Sequence, residues 1–185
     1  MTGARIGAAT GGPVLITARL RLRRPRAGDL AAFHGFLGDP RAMRYWSCPA
    51  HATLGESRDF LERTLTASVA GLSDEFVIER DGKVIGKAGA WRLPELGFIL
   101  HPDHWRQGLA REALGAVIAH LFAAHPLARL TADVDPGNAA SLGLLAHLGF
   151  QRTGTATNTL RWGEEWRDSV YLALDRAVWA ERGGS

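Results

Sequence analysis

The sequence contains a single cysteine, Cys48, and no apolar run as long as a membrane span. One cysteine excludes an internal disulfide and a cysteine-rich metal site, and it favours a reducing compartment, so we expect a cytoplasmic protein. A transmembrane helix needs about 18 or more consecutive apolar residues, so we expect no membrane partner. The first 13 residues lack the central apolar block that is typical of a signal peptide.

Acidic residues are absent from the first 28 positions, which carry six arginines. The whole chain has a net charge of +3, yet the remainder has 16 basic and 19 acidic residues. A basic arm of this kind could contact nucleic acid. However, the arginines between Arg19 and Arg24 alternate with Leu20 and Leu22, which favours arginines on the exposed sides of a first strand. We therefore expect no specific nucleic-acid partner.

The length and composition of the chain predict one folded domain. The 185 residues suffice for one domain with a proper core, and 46% hydrophobic and 22% charged residues are ordinary for a globular protein. No internal repeat or interdomain linker is visible. We predict a flexible lead-in over residues 1–14 and a single domain over residues 15–180.

The hydrophobic periodicity predicts an α+β fold. Apolar pairs that recur every four residues indicate a helix over residues 109–122, and Asp81-Gly82 between two β-branched runs indicates a hairpin. We expect a central, mixed, twisted sheet of about seven strands flanked by about four helices. The strands are predicted near residues 18–23, 76–80, 83–89, 95–100, 129–134, 150–155 and 165–174. The helices are predicted near residues 30–37, 54–70, 109–122 and 138–148, with irregular segments at 41–52 and 158–164.

The segment His101–Ala113 is a candidate anion site. It joins the predicted strand 95–100 to a long amphipathic helix, and Gly108 and Ala110 are small residues at the junction. The first backbone N–H groups of a helix have no partner within it, and together with the helix dipole they attract phosphate. Gly108 has no side chain that would block a ligand. The segment therefore predicts a diphosphate site.

A second segment, Asp135–Gly154, reads DPGNAASLGLLAHLGFQRTG. Together the two segments resemble the GNAT superfamily of acetyl-CoA-dependent N-acetyltransferases. The first is similar to the pyrophosphate loop (Q/R)-x-x-G-x-(G/A) of that family, and the second to its N-x-x-S…L-G-F-x-x-x-G signature. Residues 18–23, 39–46 and 168–179 resemble the RimJ/RimL-like branch, which acetylates the N termini of ribosomal proteins. The resemblance extends from Leu15 to Trp179.

The resemblance implies acetyl-CoA as the cosubstrate and no metal. Backbone N–H groups of residues 106–111 would hold the diphosphate, and Trp105 departs from the usual Gln or Arg, so binding would depend more on backbone. The strand 98–100 would bind pantetheine where it splays from the next strand, and an N–H of Ile99 or a neighbour would face the acetyl oxygen. The expected cofactor contacts are Phe98, Ile99, Leu100, Trp105, Arg106, Gln107, Gly108, Leu109, Ala110, Arg111, Asn138 and Ser141.

Acetyl transfer to an amine requires that the amine lose a proton, and Glu95 is the candidate general base. Glu95 begins the strand that would carry the thioester, and a carboxylate can accept a proton directly or through water. A chain of water molecules is one alternative, and a merely solvated glutamate at a strand end is another. His101 and His104 are competing bases because an imidazole titrates near neutral pH. Both histidines lie on the phosphate side.

The departing thiolate benefits from an acid, and Ser141 is the candidate. It follows Asn138 by three residues, so both lie on one face of a helix start. Asn138 is expected to bond pantetheine, to cap the helix, or both. Tyr171 is the alternative acid that the family offers, with a core aromatic as the competing interpretation. Cys48 is not expected to be a nucleophile, because no paired histidine is evident and the family transfers the acetyl group directly within a ternary complex.

The acceptor pocket is expected to come from residues 41–51, 54–65 and 158–166. The side chains that could wall it are Tyr45, Trp46, Trp91, Trp162 and Trp166. We predict a primary-amine acceptor, with a protein N terminus as the leading candidate. The alternatives are a small amine such as an antibiotic or polyamine, and a non-catalytic acyl-CoA sensor. The resemblance is also compatible with a homodimer. A nucleotide-hydrolysing P-loop protein is disfavoured, because no Gly-Lys-Ser/Thr follows the loop in His101–Ala113.

Overall fold

The computed structural model describes residues 5–9, 12–162 and 164–183. These residues form one nine-stranded sheet with six helices, in the strand order β1-β2-β3-β4-β5-β6-β7-β9-β8. The strands are β1 (Arg5–Ala9), β2 (Gly12–Ile16), β3 (Arg21–Arg23), β4 (Asp74–Arg80), β5 (Lys83–Arg92), β6 (Glu95–Leu100), β7 (Arg129–Val134), β8 (Gln151–Trp162) and β9 (Glu165–Asp175). The helices are α1 (Leu30–Leu37), α2 (Pro40–Met43), α3 (Leu54–Val69), α4 (Leu109–Ala124), α5 (Ala139–His147) and α6 (Arg176–Glu181). The predicted α+β fold with a mixed sheet is confirmed.

The sheet packs against helices on both faces because side chains alternate along each strand. On β6, Leu96 and Leu100 belong to the larger core, whose other members include the buried residues of α4. Ile99 points the other way, into a second core with Phe33 and Phe36 of α1. Residues 95, 97 and 99 of β6 therefore share the face that α1 and α3 cover, and residues 96, 98 and 100 face α4.

The structure adds strands at the N-terminal side of the sheet. Strands β1 and β2 form an antiparallel hairpin, and β2 pairs with β3 through Leu15 and Ile16. Both strands include residues from the segment that we predicted as a flexible lead-in, residues 1–14. These residues are mainly small, so their backbone pairing leaves little hydrophobic signal in the sequence. The division at residues 14 and 15 stays a prediction.

Strand β8 is longer than its sequence suggests. Residues 158–164 were expected to form a loop, but β8 continues to Trp162 after an irregularity between Ala156 and Leu160, where Asn158 has a φ of +54°. A bulge with polar residues resembles a loop in sequence, which explains the error. The short helices α2 and α6 were also not predicted. No helix in the described ranges is long and apolar enough to cross a membrane.

Arg23 is buried, contrary to the expectation of an exposed arginine on the first strand. Its side chain is 9% exposed, and its guanidinium contacts Asp29 at 2.7 Å and Glu79 at 2.6 Å. Asp29 reaches β3 because the short turn Ala27–Asp29 precedes α1. The two carboxylates compensate the charge that burial would otherwise leave without a partner.

Candidate functional site

The parallel strands β6 and β7 separate after their first residues. In the described ranges they share one bridge, between Glu95 and Thr131, where the Thr131 N–H donates to the Pro94 carbonyl at 3.1 Å. Strand β6 remains paired with β5 along its length, and β7 remains paired with β9. The inner edges of β6 and β7 beyond Thr131 therefore bound a wedge-shaped opening in the middle of the sheet.

The backbone groups that face this opening follow from the β5–β6 register. Ile99 is paired with Lys87, and the His101 N–H donates to the Ile85 carbonyl at 2.8 Å. Since antiparallel strands alternate between hydrogen-bonded and non-bonded pairs, Ile99 faces β5, and Phe98 and Leu100 face the opening. Thus the neighbours of Ile99, not Ile99 itself, present polar backbone groups there.

One of these groups already has a partner. The Trp105 indole N–H donates to the Leu100 carbonyl at 2.9 Å, while its ring stays 44% exposed. This bond fixes the beginning of the loop that follows β6. In the described part of the chain, both backbone groups of Phe98 and the N–H of Leu100 remain available to a ligand.

The loop before α4 forms a concave array of N–H groups. Arg106 and Gly108 have positive φ angles of 58° and 74°, a conformation that turns successive N–H groups to one side and suits an anion. The Glu112 N–H bonds the Gly108 carbonyl at 3.1 Å. The N–H groups of residues 109–111 precede that bond and have no acceptor among the described residues. The predicted anion site therefore has the required backbone geometry.

Side chains behind the loop hold it in position. The Glu112 carboxylate accepts hydrogen bonds from the Thr17 hydroxyl at 2.6 Å and from the backbone N–H and Nε of Arg19 at 2.7 Å each. Arg19 also donates to the Gln107 carbonyl at 2.8 Å, and Arg80 donates to the Gln107 side chain at 2.5 Å. Although burial alone would raise it, these bonds from Thr17 and Arg19 hold the pKa of Glu112 below its ordinary value.

Glu95 lies where the two strands part. Its side chain is 22% exposed, and Oε2 contacts Nη2 of Arg92 at 2.8 Å. It shares a face of β6 with Gly97 and Ile99. Glu95, the base that the sequence predicts, therefore lies at the edge of the opening, but one of its two carboxylate oxygens is already bonded to an arginine.

The two competing histidines lie in the loop before α4. The Asp103 N–H donates to Nδ1 of His101 at 3.3 Å, and burial lowers the pKa of His104. Both precede the concave N–H array in the chain. Both therefore lie on the side of the opening that carries this array, and the expectation that they are not the base stays a prediction.

Asn138 is the N-cap of α5, and its side chain bonds the backbone of Ser141 in the first turn. The Asn138 Oδ1 accepts a hydrogen bond from the Ser141 N–H at 3.1 Å, so the capping interpretation is correct for this oxygen. The Ser141 hydroxyl has no hydrogen-bond partner in the described part of the chain and is half-buried. A free hydroxyl of this kind can donate to a ligand atom.

Tyr171 and Asp133 stand directly opposite each other on β9 and β7. The Tyr171 side chain is 38% exposed, which excludes the interpretation as a core aromatic. Asp133 is exposed, but partial desolvation raises the pKa of its carboxyl; a hydrogen bond from Ser169 opposes that rise, and the negative charge of Glu95 adds to it. Sequence reasoning did not single out Asp133, although an acid on the polar side of the alternating strand RLTADV was a signal.

The segment that contains α2 spans the far ends of β6 and β7. Nη2 of Arg41 lies 3.7 Å from Oδ1 of Asp103, which follows β6. Tyr45 lies beside Gly137, which follows β7, since a Cβ there would be 3.2 Å from the tyrosine ring. This segment, expected to be part of the acceptor pocket, therefore covers the wide end of the opening.

The five aromatic residues predicted to wall the pocket are not all together. Tyr45 lies at the wide end, and Trp91 flanks Gly97, whose Cβ would be 3.3 Å from the indole. Trp46 instead packs on the second core, and Trp162 lies under the Arg167 guanidinium. Trp166 is exposed on the β8–β9 hairpin.

Cys48 does have a neighbouring histidine, contrary to the sequence expectation. Its sulfur lies 4.0 Å from Nε2 of His51, whose Nδ1 is 3.0 Å from the Ser57 hydroxyl. Burial raises the pKa of the Cys48 thiol and lowers that of His51, which disfavours a thiolate–imidazolium pair. No group of three or more metal-ligating side chains with suitable spacing occurs in the described ranges.

Comparison with known proteins gives a consistent family. Residues 19–151 match the family model described as an acetyltransferase (GNAT) domain. The uncharacterized N-acetyltransferase YoaA of Bacillus subtilis (strain 168) is 30% identical over 150 residues, which cover 77% of this chain and 85% of that protein. The ribosomal protein uS5 alanine N-acetyltransferase of Escherichia coli (strain K12) is 34% identical over 91 residues, covering 49% and 47%.

A solved structure shares the fold. The ribosomal L7/L12 α-N-protein acetyltransferase RimL, in complex with coenzyme A, superposes with a TM-score of 0.78. The match covers 86% of this chain and 96% of that chain at 16% sequence identity. At this identity the likeness concerns the fold alone.

Proposed function

The chain is an acetyl-CoA-dependent N-acetyltransferase of the GNAT acetyltransferase family, and from this premise we propose that its acceptor is a primary amine. The acetyl group is transferred directly, within a ternary complex. The acceptor that we favour is the α-amine of a protein N terminus. The observation that carries this proposal is the separation of β6 from β7 immediately before the concave N–H array at α4. The same groove therefore presents a free strand edge followed directly by an anion site.

The chain's own groups fit acetyl-CoA. This cosubstrate supplies an activated acetyl thioester, a pantetheine arm with two amides, and a diphosphate. Backbone N–H groups of residues 106–111 would hold the diphosphate, with Arg106 and Arg111 exposed beside them. The free backbone groups of Phe98 and Leu100 would pair with pantetheine amides as an added strand does. An N–H in this edge would also stabilise negative charge on the acetyl oxygen.

The proton transfers fall to side chains around the opening. A carboxylate at the mouth of the opening would accept the amine proton, and Glu95 is the candidate that the sequence identified. The free hydroxyl of Ser141 would donate to the leaving sulfur, with the exposed Tyr171 as the alternative donor. All three roles are proposals for this chain.

An N-terminal α-amine suits these groups. Its ordinary pKa is about 7.7–8.0, against about 10.4 for a lysine side chain, so a carboxylate deprotonates it more readily near neutral pH. One relative is named as an alanine N-acetyltransferase of ribosomal protein uS5, which supports a protein acceptor. The cytoplasmic location and the homodimer stay predictions.

The test is release of free thiol from acetyl-CoA with a panel of amines. The panel contains N-terminal peptides, polyamines, aminoglycosides and aryl amines, and binding of acetyl-CoA is measured separately by calorimetry. We expect binding of acetyl-CoA and the highest kcat/KM with peptides. Turnover only with a small amine would contradict the proposed acceptor. Binding without turnover would favour the sensor, and the absence of both would refute the proposal.

A further inference from the structure

We propose that Asp133 is the carboxylate that binds the acceptor's ammonium group and takes its proton, with Glu95 as the second carboxylate of a two-acid site. This inference rests on the proposed function. It differs from the interpretation of the sequence, in which Glu95 alone was the base.

The register between β6 and β7 puts the two acids on one face of the sheet. Glu95 is paired with Thr131, and Asp133 follows Thr131 by two residues, which is one period of the strand. From strand spacing and rise, the Cα atoms of Glu95 and Asp133 would be about 8 Å apart in a regular pair, and the separation of the strands beyond the bridge makes this a lower bound. Asp133 lies beyond the bridge, so it borders the opening on its β6 side while it is paired with Tyr171 of β9 on the other.

Gly97 leaves room between the two acids and the free amide of Phe98. It belongs to the same face of β6 as Glu95 and Ile99, and it has no side chain to cover the neighbouring backbone. The Trp91 ring limits the space on the β5 side. The opposite face of the sheet is filled by the larger core against α4. An amine can therefore approach the Phe98 amide from the face that carries the carboxylates.

Of the two acids, Asp133 is the one without a basic ion-pair partner among the described residues. Glu95 is engaged by Arg92 at 2.8 Å, whereas Asp133 has no ion pair with a basic side chain in the described part of the chain. The titratable groups around it are Glu95 from β6 and Tyr171 from β9, and Ser169 donates to it. Asp133 is exposed to solvent, and the partial desolvation of its carboxyl raises its pKa, which improves it as a base, because a catalytic base works best when its pKa approaches the working pH.

The proposed acetyl transfer conserves protons and electrons. The ammonium gives one proton to Asp133, and the freed lone pair forms the new C–N bond as the C–S bond breaks. The second N–H proton passes through solvent, while Ser141 or Tyr171 supplies a proton to the thiolate and recovers one from solvent. Asp133 then releases its proton to solvent, so no further reactant is required.

The experiment compares Asp133→Asn, Glu95→Gln and the control Asp175→Asn, whose carboxylate is half-exposed and paired with Arg129 at the far end of β9. The kcat/KM for the best acceptor of the panel is measured across pH. We expect Asp133→Asn to lower kcat/KM by about 100-fold or more and to abolish the acid-side inflection. Glu95→Gln should move that inflection to lower pH, because it removes a neighbouring negative charge. The control should match the wild type.

A second readout does not depend on turnover. Calorimetry measures binding of an N-terminal-alanine hexapeptide to the CoA-loaded protein, and acetyl-CoA affinity reports correct folding of each variant. Asp133→Asn should weaken peptide binding about tenfold and leave acetyl-CoA affinity unchanged. A kcat/KM within threefold of the wild type, or unchanged peptide binding, would overturn the inference. If no acceptor is turned over but peptide binding still depends on Asp133, the result refutes the proposed function and not the binding of the ammonium group by Asp133.

Discussion

Glu112 and Arg19 form a charged pair that ties the first turn of α4 to the residues before β3, with Nε and Oε2 2.7 Å apart. The same arginine donates to the Gln107 carbonyl, so one side chain holds both sides of Gly108. A carboxylate in the first turn of a helix also complements the helix dipole. This pair therefore stabilises the loop whose N–H groups are proposed to bind diphosphate.

Glu112→Gln should weaken acetyl-CoA binding about tenfold and flatten the acid dependence of stability. The wild-type pKa is lowered on folding from an ordinary value near 4.5, so the ionised carboxylate stabilises the fold above that pH. That stabilisation is lost as pH falls through the folded-state pKa. Calorimetry measures the affinity, and urea unfolding between pH 3 and pH 7 measures the stability, all with respect to the wild type. Parallel stability curves for both proteins would contradict the assignment.

Gly108→Ala should weaken acetyl-CoA binding at least tenfold. The residue has a φ of +74°, where a side chain costs about 1–2 kcal/mol, and its Cβ would lie 3.4 Å from Nη2 of Arg19. The loop would have to shift, and the N–H array would shift with it. The matched control is Gly143→Ala on α5, where no heavy atom lies within 4 Å of the added Cβ. That control should raise the free energy of unfolding by about 0.5–1 kcal/mol and keep the affinity.

The sequence is sufficient to predict the backbone geometry of the loop before α4 and of the α5 cap, because its determinants are local. A glycine before a periodic helix and an asparagine three residues before a serine predict the N–H array at α4 and the cap at Asn138. Each depends on backbone conformation within a few residues. These two features are the parts of the site that a single sequence can predict.

The acceptor side depends on register between distant strands, which the sequence does not determine. Asp133 joins Glu95 only because the β6–β7 bridge falls at Thr131, and a shift of one residue would turn Asp133 to the other face. In the same way, Arg23 is buried only because Asp29 and Glu79 come from other elements. An alternating pattern of charge and leucine predicts which residues share a face, but not what covers that face.

Ser141→Ala and Asn138→Ala should separate catalysis from capping. The Ser141 hydroxyl has no hydrogen-bond partner in the described ranges, so its loss should lower kcat and change the free energy of unfolding by less than about 0.5 kcal/mol. Loss of the Asn138 cap should cost about 0.5–2 kcal/mol of that free energy. Steady-state thiol release and urea unfolding are the two measurements. An unchanged kcat in Ser141→Ala would transfer the role of acid to Tyr171.

Asp74→Asn should destabilise the fold more than any variant above. Its carboxylate is buried and contacts Arg24 at 2.5 Å, His120 at 3.0 Å and His125 at 2.6 Å. Removing the charge leaves Arg24 without its buried partner, and breaking such a buried pair costs about 3–5 kcal/mol. Urea unfolding at pH 7 measures this loss, and Asp175→Asn, with its half-exposed carboxylate, should stay within about 0.5 kcal/mol of the wild type.

The acid dependence of stability gives an independent check on Asp74. Although burial alone would raise it, hydrogen bonds from His120, Arg24 and His125 hold the pKa of Asp74 well below its ordinary value near 3.8. The ionised form therefore stabilises the fold above that ordinary value, and the stabilisation is lost as pH falls toward the folded-state pKa. The free energy of unfolding of Asp74→Asn should consequently approach that of the wild type in strong acid. A constant difference between the two proteins from pH 7 to pH 2 would show that Asp74 acts through packing instead of charge.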